Sequence, residues 1–384
     1  MDFNNWIVAN WNLIFFVAAA LVLLLAGLYT VIQRQGERRW WLLAGLSGAL
    51  VLAAQAVQST LLHMLLLDAA ALTTVALVWI QNAKAGKLYL AAVLAGSILV
   101  GAGLAAGGIL SGVPVEPAGL AGKAVLALLL VGFAIKLALV PFYFWLPPLA
   151  ENTTPMTAVL VVAVLDMAEL GELAALRLEA PWVFSQAQGL WLGLALLAML
   201  GGALLALAQK NLRRMLAFSA IDDSGYLLLG ILAGGMGLSG ALVGILSHAV
   251  CKFLLFGAVG AAEQGLGQKL TLELRGLAGR FPASAAAFIA GALGMVGVPP
   301  LLGAAGRWRL YLSGIELGGF PLGLAMALAS ILALLYYVRA IHRVWLGAPE
   351  VERTGREPGL LAAAFVTVIA VLVLGGLFLG FGLA

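Results

Sequence analysis

Charged side chains lie inside long apolar runs of this sequence, where ionisation is unfavourable. An ionised side chain at the centre of a bilayer costs at least about 2.5–3.5 kcal/mol, so each one is a functional candidate. The candidates are Asp68, Lys136, Asp166, Glu169, Glu172, Asp222, Asp223, His248, Lys252, Arg307 and Arg309. They occur in at least five separate runs. Groups that gain and lose protons, placed in series, are what the movement of protons or ions across a membrane requires.

Two groups of candidates have helical spacing. His248 and Lys252 are four residues apart, so both project from one helix face. Asp166, Glu169 and Glu172 are spaced by three, which places three carboxylates on one stripe. Three carboxylates this close would not all ionise in a dry site. Either a base on another helix neutralises the stripe, or the stripe itself holds protons.

Some candidates also have a structural interpretation that the sequence leaves open. Asp222 and Asp223 have the position of an acid pair at a helix start near the inner surface. Arg309 and Glu316 fit a solvated outer loop, and Glu172 fits the outer membrane interface. Purely structural roles for these residues would leave fewer groups for proton transfer.

The composition identifies the elements that must position these residues. Of the 384 residues, 63% are hydrophobic and 10% charged, with a mean hydropathy of +1.08, far from the composition of soluble domains. A spanning helix needs about 20 apolar residues. The sequence therefore predicts an all-α, polytopic transmembrane bundle of about twelve spans, near 11–33, 40–57, 60–81, 88–110, 123–146, 155–178, 189–209, 215–234, 237–260, 283–303, 317–340 and 359–382.

The basic residues predict the orientation of these spans. With the N-terminus outside, fourteen basic residues fall in inner segments: Arg34, Arg38, Arg39, Lys84, Lys87, Lys210, Arg213, Arg214, Lys269, Arg275, Arg280, Arg343, Arg353 and Arg356. Four fall in outer segments: Lys123, Arg177, Arg307 and Arg309. This asymmetry agrees with the positive-inside rule.

Prolines interrupt two of the predicted spans. Pro141 lies between an apolar run and Pro147-Pro148, and Pro299-Pro300 follows another run. Proline removes a helix hydrogen bond, and the freed carbonyls in a membrane must face protein or a wet cavity. We expect a broken helix at each position rather than an ordinary kink, because both are close to intramembrane cations.

Other classes of protein do not fit this sequence. The 21 basic residues are spread over many loops and form no nucleic-acid patch. One cysteine, Cys251, and three separated histidines do not favour a disulfide framework, a metal site or haem. No strand–helix unit with a Gly-x-Gly-x-x-Gly turn, which would hold a flavin or a nucleotide, is predicted. We expect no cofactor, and we interpret Trp11–Ile32 as a mature span in a prokaryotic inner membrane rather than a signal peptide.

Four segments resemble the signature of a known family. They are Phe133–Pro147 with Thr154–Thr157, Leu207–Ile221 with Gly225-Tyr226, Ser247–Gly257, and Gly297–Arg307. In this order they are similar to the antiporter-like subunits of complex I, a family that includes subunits of cation/proton antiporters and of membrane-bound hydrogenases. The resemblance extends from about residue 60 to residue 345.

The resemblance implies a layout and a set of site residues. Two inverted five-helix repeats would each contain a broken helix and half of a proton path. The corresponding parts are N-terminal helices (1–59), a first half (60–209), a second half (210–345) and a C-terminal loop and helix (346–384). The implied proton path is Asp68, Lys136, Asp166, Glu169, His248, Lys252 and Arg307.

The sequence departs from the family pattern at several positions. Tyr143 replaces the usual histidine, and Asp166 with Glu169 stands where a lysine or histidine commonly links the halves. Arg307 occupies the position of a terminal lysine or glutamate, yet arginine keeps its proton at any working pH. Family members commonly have fourteen spans. These departures leave open a rerouted path or a subunit that no longer pumps.

The resulting functional expectation is a non-redox, proton-translocating subunit of an NADH–quinone oxidoreductase. Its partners would be other membrane and peripheral subunits of a multi-subunit redox complex, the lipid bilayer, and protons or sodium ions, but no nucleic acid. The alternatives are a subunit of a membrane-bound hydrogenase or of a multi-subunit cation/proton antiporter, and a non-conducting structural subunit.

Overall fold

The computed structural model describes residues 3–112, 119–348 and 357–381, and these residues are predominantly helical. The helices are α1 Phe3–Ala9, α2 Trp11–Ile32, α3 Arg38–Ala56, α4 Thr60–Gln81, α5 Ala83–Ala106, α6 Gly119–Lys136, α7 Leu146–Asn152, α8 Pro155–Val159, α9 Asp166–Glu179, α10 Trp182–Ser185, α11 Gln188–Ala208, α12 Leu212–Ala233, α13 Gly235–Leu266, α14 Pro282–Val296, α15 Leu302–Ala340 and α16 Gly359–Phe381. Two π-helical segments, Leu160–Leu165 and Ile341–Trp345, follow α8 and α15. The architecture confirms the predicted all-α bundle.

Nine of the described helical segments are long and apolar enough to cross a membrane. Every predicted span overlaps a helix, including α3 and the shorter α14, which do not meet that criterion. The number of crossings and the inverted-repeat layout stay predictions. Arg353, Arg356 and the end of the last predicted span lie outside the described residues.

The predicted break at Pro141 is confirmed. Helix α6 ends at Lys136, and the chain resumes helical structure only at the turn Tyr143–Trp145 before α7. The Trp145 indole donates a hydrogen bond to the Ile135 carbonyl (3.0 Å). This bond gives a buried partner to one of the carbonyls at the end of α6, as the interrupted helix requires.

The predicted break at Pro299-Pro300 is also confirmed, but its consequence differs from the prediction. Helix α14 ends at Val296, and α15 begins at Leu302 and continues to a non-helical residue at Gly319. The interpretation of Arg309 as part of a solvated outer loop is wrong, because Arg307 and Arg309 both belong to this second half-helix. Their placement on the outer side of the membrane stays a prediction. Arg309 is fully buried.

Helices α12 and α13 form the centre of the bundle. Every residue in the most apolar part of α12 is buried, whereas outer helices such as α2 and α16 bury about a third or less of theirs. Side chains such as Leu24 and Phe378 remain exposed on those outer helices, as expected for faces that meet lipid. The central helices therefore place their charged residues away from the bilayer.

Contacts between helix ends define two faces of the bundle. The Gln264 amide in α13 donates to the Gln33 carbonyl after α2 (2.7 Å), and Arg214 in α12 pairs with Glu151 in α7 (3.1 Å). Predicted inner basic residues flank these helix ends, so we call this side the basic face. The opposite side, where α2 and α4 begin and α9 ends, is the base-poor face.

Candidate functional site

Lys136 lies at the centre of a first cluster of buried charges. Its ammonium donates to Asp68 Oδ1 (3.4 Å) and to Glu172 Oε2 (3.2 Å), and the lysine is 6% exposed. The Ser97 hydroxyl donates to the same Asp68 oxygen (2.6 Å). Lys136 is also the last residue of α6, where the helix dipole favours a cation. The break at Pro141 thus places the lysine at a buried helix end facing two carboxylates.

A second cluster is organised around Asp223. One carboxylate oxygen lies 2.8 Å from His248 Nδ1, and the other accepts a hydrogen bond from the Arg307 guanidinium (2.6 Å). The Arg307 guanidinium also stacks on the Tyr226 ring, 3.7 Å from its centroid. The interpretation of Asp223 as a helix-start acid near the inner surface is wrong, since it is buried inside α12.

The π-helical segment Leu160–Leu165 gives His248 its second set of contacts. His248 Nε2 lies 3.0 Å from the Val162 carbonyl and 3.5 Å from Asp166 Oδ2. A π-helical turn widens the helix locally and redirects its carbonyls, which is frequent at functional sites. Both ring nitrogens of His248 therefore face oxygen acceptors, and the backbone carbonyl can only accept.

Asp166 and Glu169 lie between the two clusters. Both side chains line a cavity of about 20 Å³ that also contacts Lys136 and Ser97. A volume of about 10–15 Å³ is enough for one water molecule when polar partners surround it. One bridging water would place the Lys136 cluster and the His248 cluster within a short series of hydrogen bonds.

Lys252 lies apart from both clusters. Its fully buried ammonium donates to Ser219 Oγ (2.7 Å) and to the Leu216 carbonyl (3.1 Å), with no ion-pair contact to any described carboxylate. Asp222, three residues after Ser219 on α12, accepts a hydrogen bond from the Tyr336 hydroxyl (3.0 Å) instead of lying at the surface. The spacing of His248 and Lys252 predicted one shared face, but their contacts are with different groups.

The structure brings most of the predicted residues together. Asp68 pairs with Lys136, and Asp166 contacts His248. His248 and Arg307 are joined through Asp223, while Glu169 lines the cavity beside Lys136. Glu172 and Asp223 were absent from the predicted path. The i+3 spacing of the acidic stripe was the signal for Glu172. For Asp223 the only signal was its place in a predicted span.

Among the described residues, no group of three or more His, Cys, Asp or Glu side chains is arranged to hold a metal ion. What the arrangement provides is acids, bases and hydroxyls in hydrogen-bond series. Such a series can hold protons and pass them between neighbours over short distances.

Sequence comparisons place these features in a family. A family profile described as NADH:quinone oxidoreductase/Mrp antiporter, transmembrane, matches residues 119–333. NADH-quinone oxidoreductase subunit N of Desulforudis audaxviator is 32% identical over 240 residues, covering 61% of this chain and 48% of the relative. The subunit N of Salinibacter ruber is 33% identical over 276 residues, covering 66% and 54%. The chain spans about half the length of these curated relatives.

Solved structures share the fold over nearly the whole chain. A chain of respiratory complex I from Thermus thermophilus with bound NADH superposes with a TM-score of 0.84 and 26% identity, covering 97% of this chain and 82% of that one. A chain of the Mrp complex from Dietzia sp. DQ12-45-1b gives a TM-score of 0.86 at 22% identity, a likeness of fold alone. The predicted resemblance and the multi-pass inner-membrane location are confirmed. The chain belongs to the NADH:quinone oxidoreductase/Mrp antiporter transmembrane family.

Proposed function

We propose that this chain translocates protons across the membrane as an antiporter-like subunit of an NADH–quinone oxidoreductase assembly. The observation that carries this proposal is the row of buried and partly buried ionisable groups from Asp68 to Arg307, which runs through both predicted halves. The named activity of the relatives supports the choice of assembly. A structural role alone would not require acids and bases in series across the bundle.

In the proposed path, the Lys136 ammonium gives a proton through the adjoining cavity to the Asp166–Glu169 pair. His248 then takes the proton at Nε2 from Asp166 and releases one from Nδ1 toward Asp223. Each step transfers one proton between neighbouring groups. The transfer leaves the neutral imidazole with its proton on Nε2, directed at the Val162 carbonyl, so a tautomer exchange that returns this proton to Nδ1 precedes the next transfer. Lys252, which follows His248 on α13, would form a side branch of the path together with Ser219 of α12.

Arg307 has a different role in this proposal. Because its guanidinium keeps its proton, it acts as a fixed positive charge opposite Asp223 rather than as a carrier. The His248–Asp223 pair then becomes the last exchanging group of the row. This assignment accounts for the departure from the family pattern without requiring a non-conducting subunit.

The driving force would come from partner subunits. The sequence offers few ligands for a redox centre, so we expect electron transfer to occur elsewhere in the assembly. A charge that approaches or leaves the Lys136 cluster would alter its proton affinity, which couples two sites through electrostatics.

The test is a Lys136→Ala substitution in the assembly in native membranes. We expect proton pumping per NADH oxidised to fall strongly, measured by quenching of a pH-sensitive dye in inverted vesicles, while the complex still assembles. Lys84→Ala, which removes an exposed lysine of the basic face, is the matched control and should pump normally. Unchanged pumping in Lys136→Ala would instead support the structural-subunit alternative.

A further inference from the structure

We infer that the first half of the chain has its own water-accessible route to the base-poor face, which reaches Glu172 through a cavity beside α9. The inference rests on the proposed function, because it assigns an exchange point to the Lys136–Glu172 pair. The cavity would hold water molecules, and these would carry the protons. Protons could then leave or join the row without passing through His248.

The cavity has a volume of about 180 Å³ and a lining of mixed polar and apolar side chains. Its polar side chains are Asn12, Gln58, Thr60, His63, Glu172 and Glu179. With about 10–15 Å³ needed for one water, it has room for several hydrogen-bonded molecules. Its volume is therefore far larger than that of the cavity beside Asp166.

Two buried polar atoms belong to side chains that line this cavity. Glu172 Oε2 contacts Lys136, but Glu172 Oε1 is buried with no hydrogen-bond partner among the described residues. The Glu172 side chain is 5% exposed. His63 Nδ1 lies 2.8 Å from the Ala54 carbonyl, whereas its Nε2 is likewise unpaired within the described chain. Buried polar atoms are nearly always satisfied, so both atoms call for a polar ligand in the cavity.

The spacing along α9 continues the route to the surface. Glu172 and Glu179 are seven residues apart, two turns along one helix face, or roughly 10 Å along the axis. Ala175 and Leu176 lie between them and also line the cavity. The Glu179 carboxylate accepts a hydrogen bond from the Thr60 hydroxyl (3.3 Å) at the start of α4. Helix α9 thus carries acidic side chains from the small cavity beside Lys136 to its own C-terminal end.

The position of the mouth decides which side of the membrane the route serves. Trp11 and Thr60, the first residues of α2 and α4, line the cavity together with Glu179, the last residue of α9. These three helix ends belong to the base-poor face, opposite Arg214 and Glu151. By the positive-inside rule this face is the outer one.

Thiol accessibility tests this route directly. The native chain has one cysteine, Cys251, which is buried. In the full assembly, Ala175→Cys should react with a membrane-impermeant quaternary-ammonium methanethiosulfonate roughly tenfold or more faster in right-side-out vesicles than in inverted ones, since reactivity follows access. Ala174→Cys is the matched control, because Ala174 is the preceding residue but is 2% exposed and lies outside the cavity lining.

Equal labelling of the two variants, or faster labelling of Ala175→Cys from the basic face, would overturn the inference. The unsubstituted chain supplies the background from Cys251, so no cysteine-free variant is needed. Labelling requires no pumping, which separates the two proposals. Outer-face labelling of Ala175→Cys together with normal pumping in Lys136→Ala would support the route and contradict the proposed function. Equal labelling of the two cysteine variants together with lost pumping in Lys136→Ala would contradict the route and support the proposed function.

Discussion

Asp223 connects a titratable imidazole to a permanent cation. Its two oxygens contact His248 and Arg307 separately, so each neighbour keeps its own contact. Because Arg307 cannot release its proton under working conditions, the charge on that side is constant. Changes of protonation in this cluster are therefore confined to the His248 side, which is the property that a terminal exchange site needs.

Asp223→Asn tests this arrangement. The change leaves the Arg307 guanidinium buried without its counter-ion, and loss of one partner of a buried pair costs about 3–5 kcal/mol. Asp222→Asn is the matched control one residue away, where a neutral amide can still accept from Tyr336 and the cost is about 1 kcal/mol. Thermal unfolding of the purified complex should show a clearly larger loss for Asp223→Asn. Equal losses would contradict the role of Asp223 as the charge partner.

Lys252→Met separates proton transfer from stability. Within the described part of the chain the ammonium donates to Ser219 and to the Leu216 carbonyl and forms no ion pair, and these two oxygens already share a hydrogen bond (2.9 Å). Lys252→Met leaves no carboxylate without its ion-pair partner. We therefore expect the thermal stability to change little while pumping decreases. Lys136→Met, which abandons two carboxylates, should by contrast lose about 3–5 kcal/mol. Normal pumping in a stable Lys252→Met variant would exclude Lys252 from the path.

At the scale of helices, the sequence and the structure agree where a residue type determines the backbone. Pro141 and Pro299-Pro300 predicted both broken helices, because proline cannot continue the hydrogen-bond ladder. The π-helical segment Leu160–Leu165 was not predicted, since its residues are ordinary apolar ones and its contact with His248 is tertiary. The half-helix that begins at Leu302 and ends before Gly319 was not predicted for a related reason. Its arginines are charged, and charged residues in a sequence are typical of a solvated loop.

The difference between local and tertiary properties also explains which parts of the candidate site could be predicted. Lys136 and the acidic stripe were predicted from their depth and their i+3 spacing, which are local properties. The partnership of Asp223 with His248 and Arg307 joins α12, α13 and α15, and no local spacing encodes which helices meet. Pairing across helices therefore required the structure, even though the ionisable types were visible in the sequence.

Gly297→Ala tests whether the second break positions Arg307. Gly297 has φ of 87°, and an added Cβ would lie 2.7 Å from the Arg307 Cβ. Gly319→Ala is the control at the other end of the same half-helix, with φ of 68° and an added Cβ no closer to a neighbour than 3.7 Å. Gly297→Ala should cost about 1–2 kcal/mol for the left-handed backbone. Gly319→Ala should cost about 1–3 kcal/mol, because φ of 68° with ψ of −164° is a conformation that almost only glycine adopts. Only Gly297→Ala should also impair pumping, and equal pumping in the two variants would refute the positioning role.

Across the whole molecule, the buried helices α12 and α13 carry the second cluster, and the broken α6 carries the first. Asp166 and Glu169 on α9 lie between them, so the row of charges crosses the bundle at the level of its breaks. Outer helices contribute apolar faces instead. A row of charges that joins several helices suits transmission between neighbouring subunits, because a charge change at one end acts on the next group along it.

This arrangement predicts that the chain works within a larger assembly. With one cysteine and three separated histidines in the sequence, we expect the redox centres to lie on partners. Purification of the native complex in mild detergent, followed by mass spectrometry, should identify flavin- and iron–sulfur-bearing subunits with a nucleotide site. A nickel-bearing partner would indicate a hydrogenase, and small membrane subunits alone a cation/proton antiporter. A chain that purifies alone would contradict redox coupling, because nothing would then deliver the charge change that the Lys136 cluster requires.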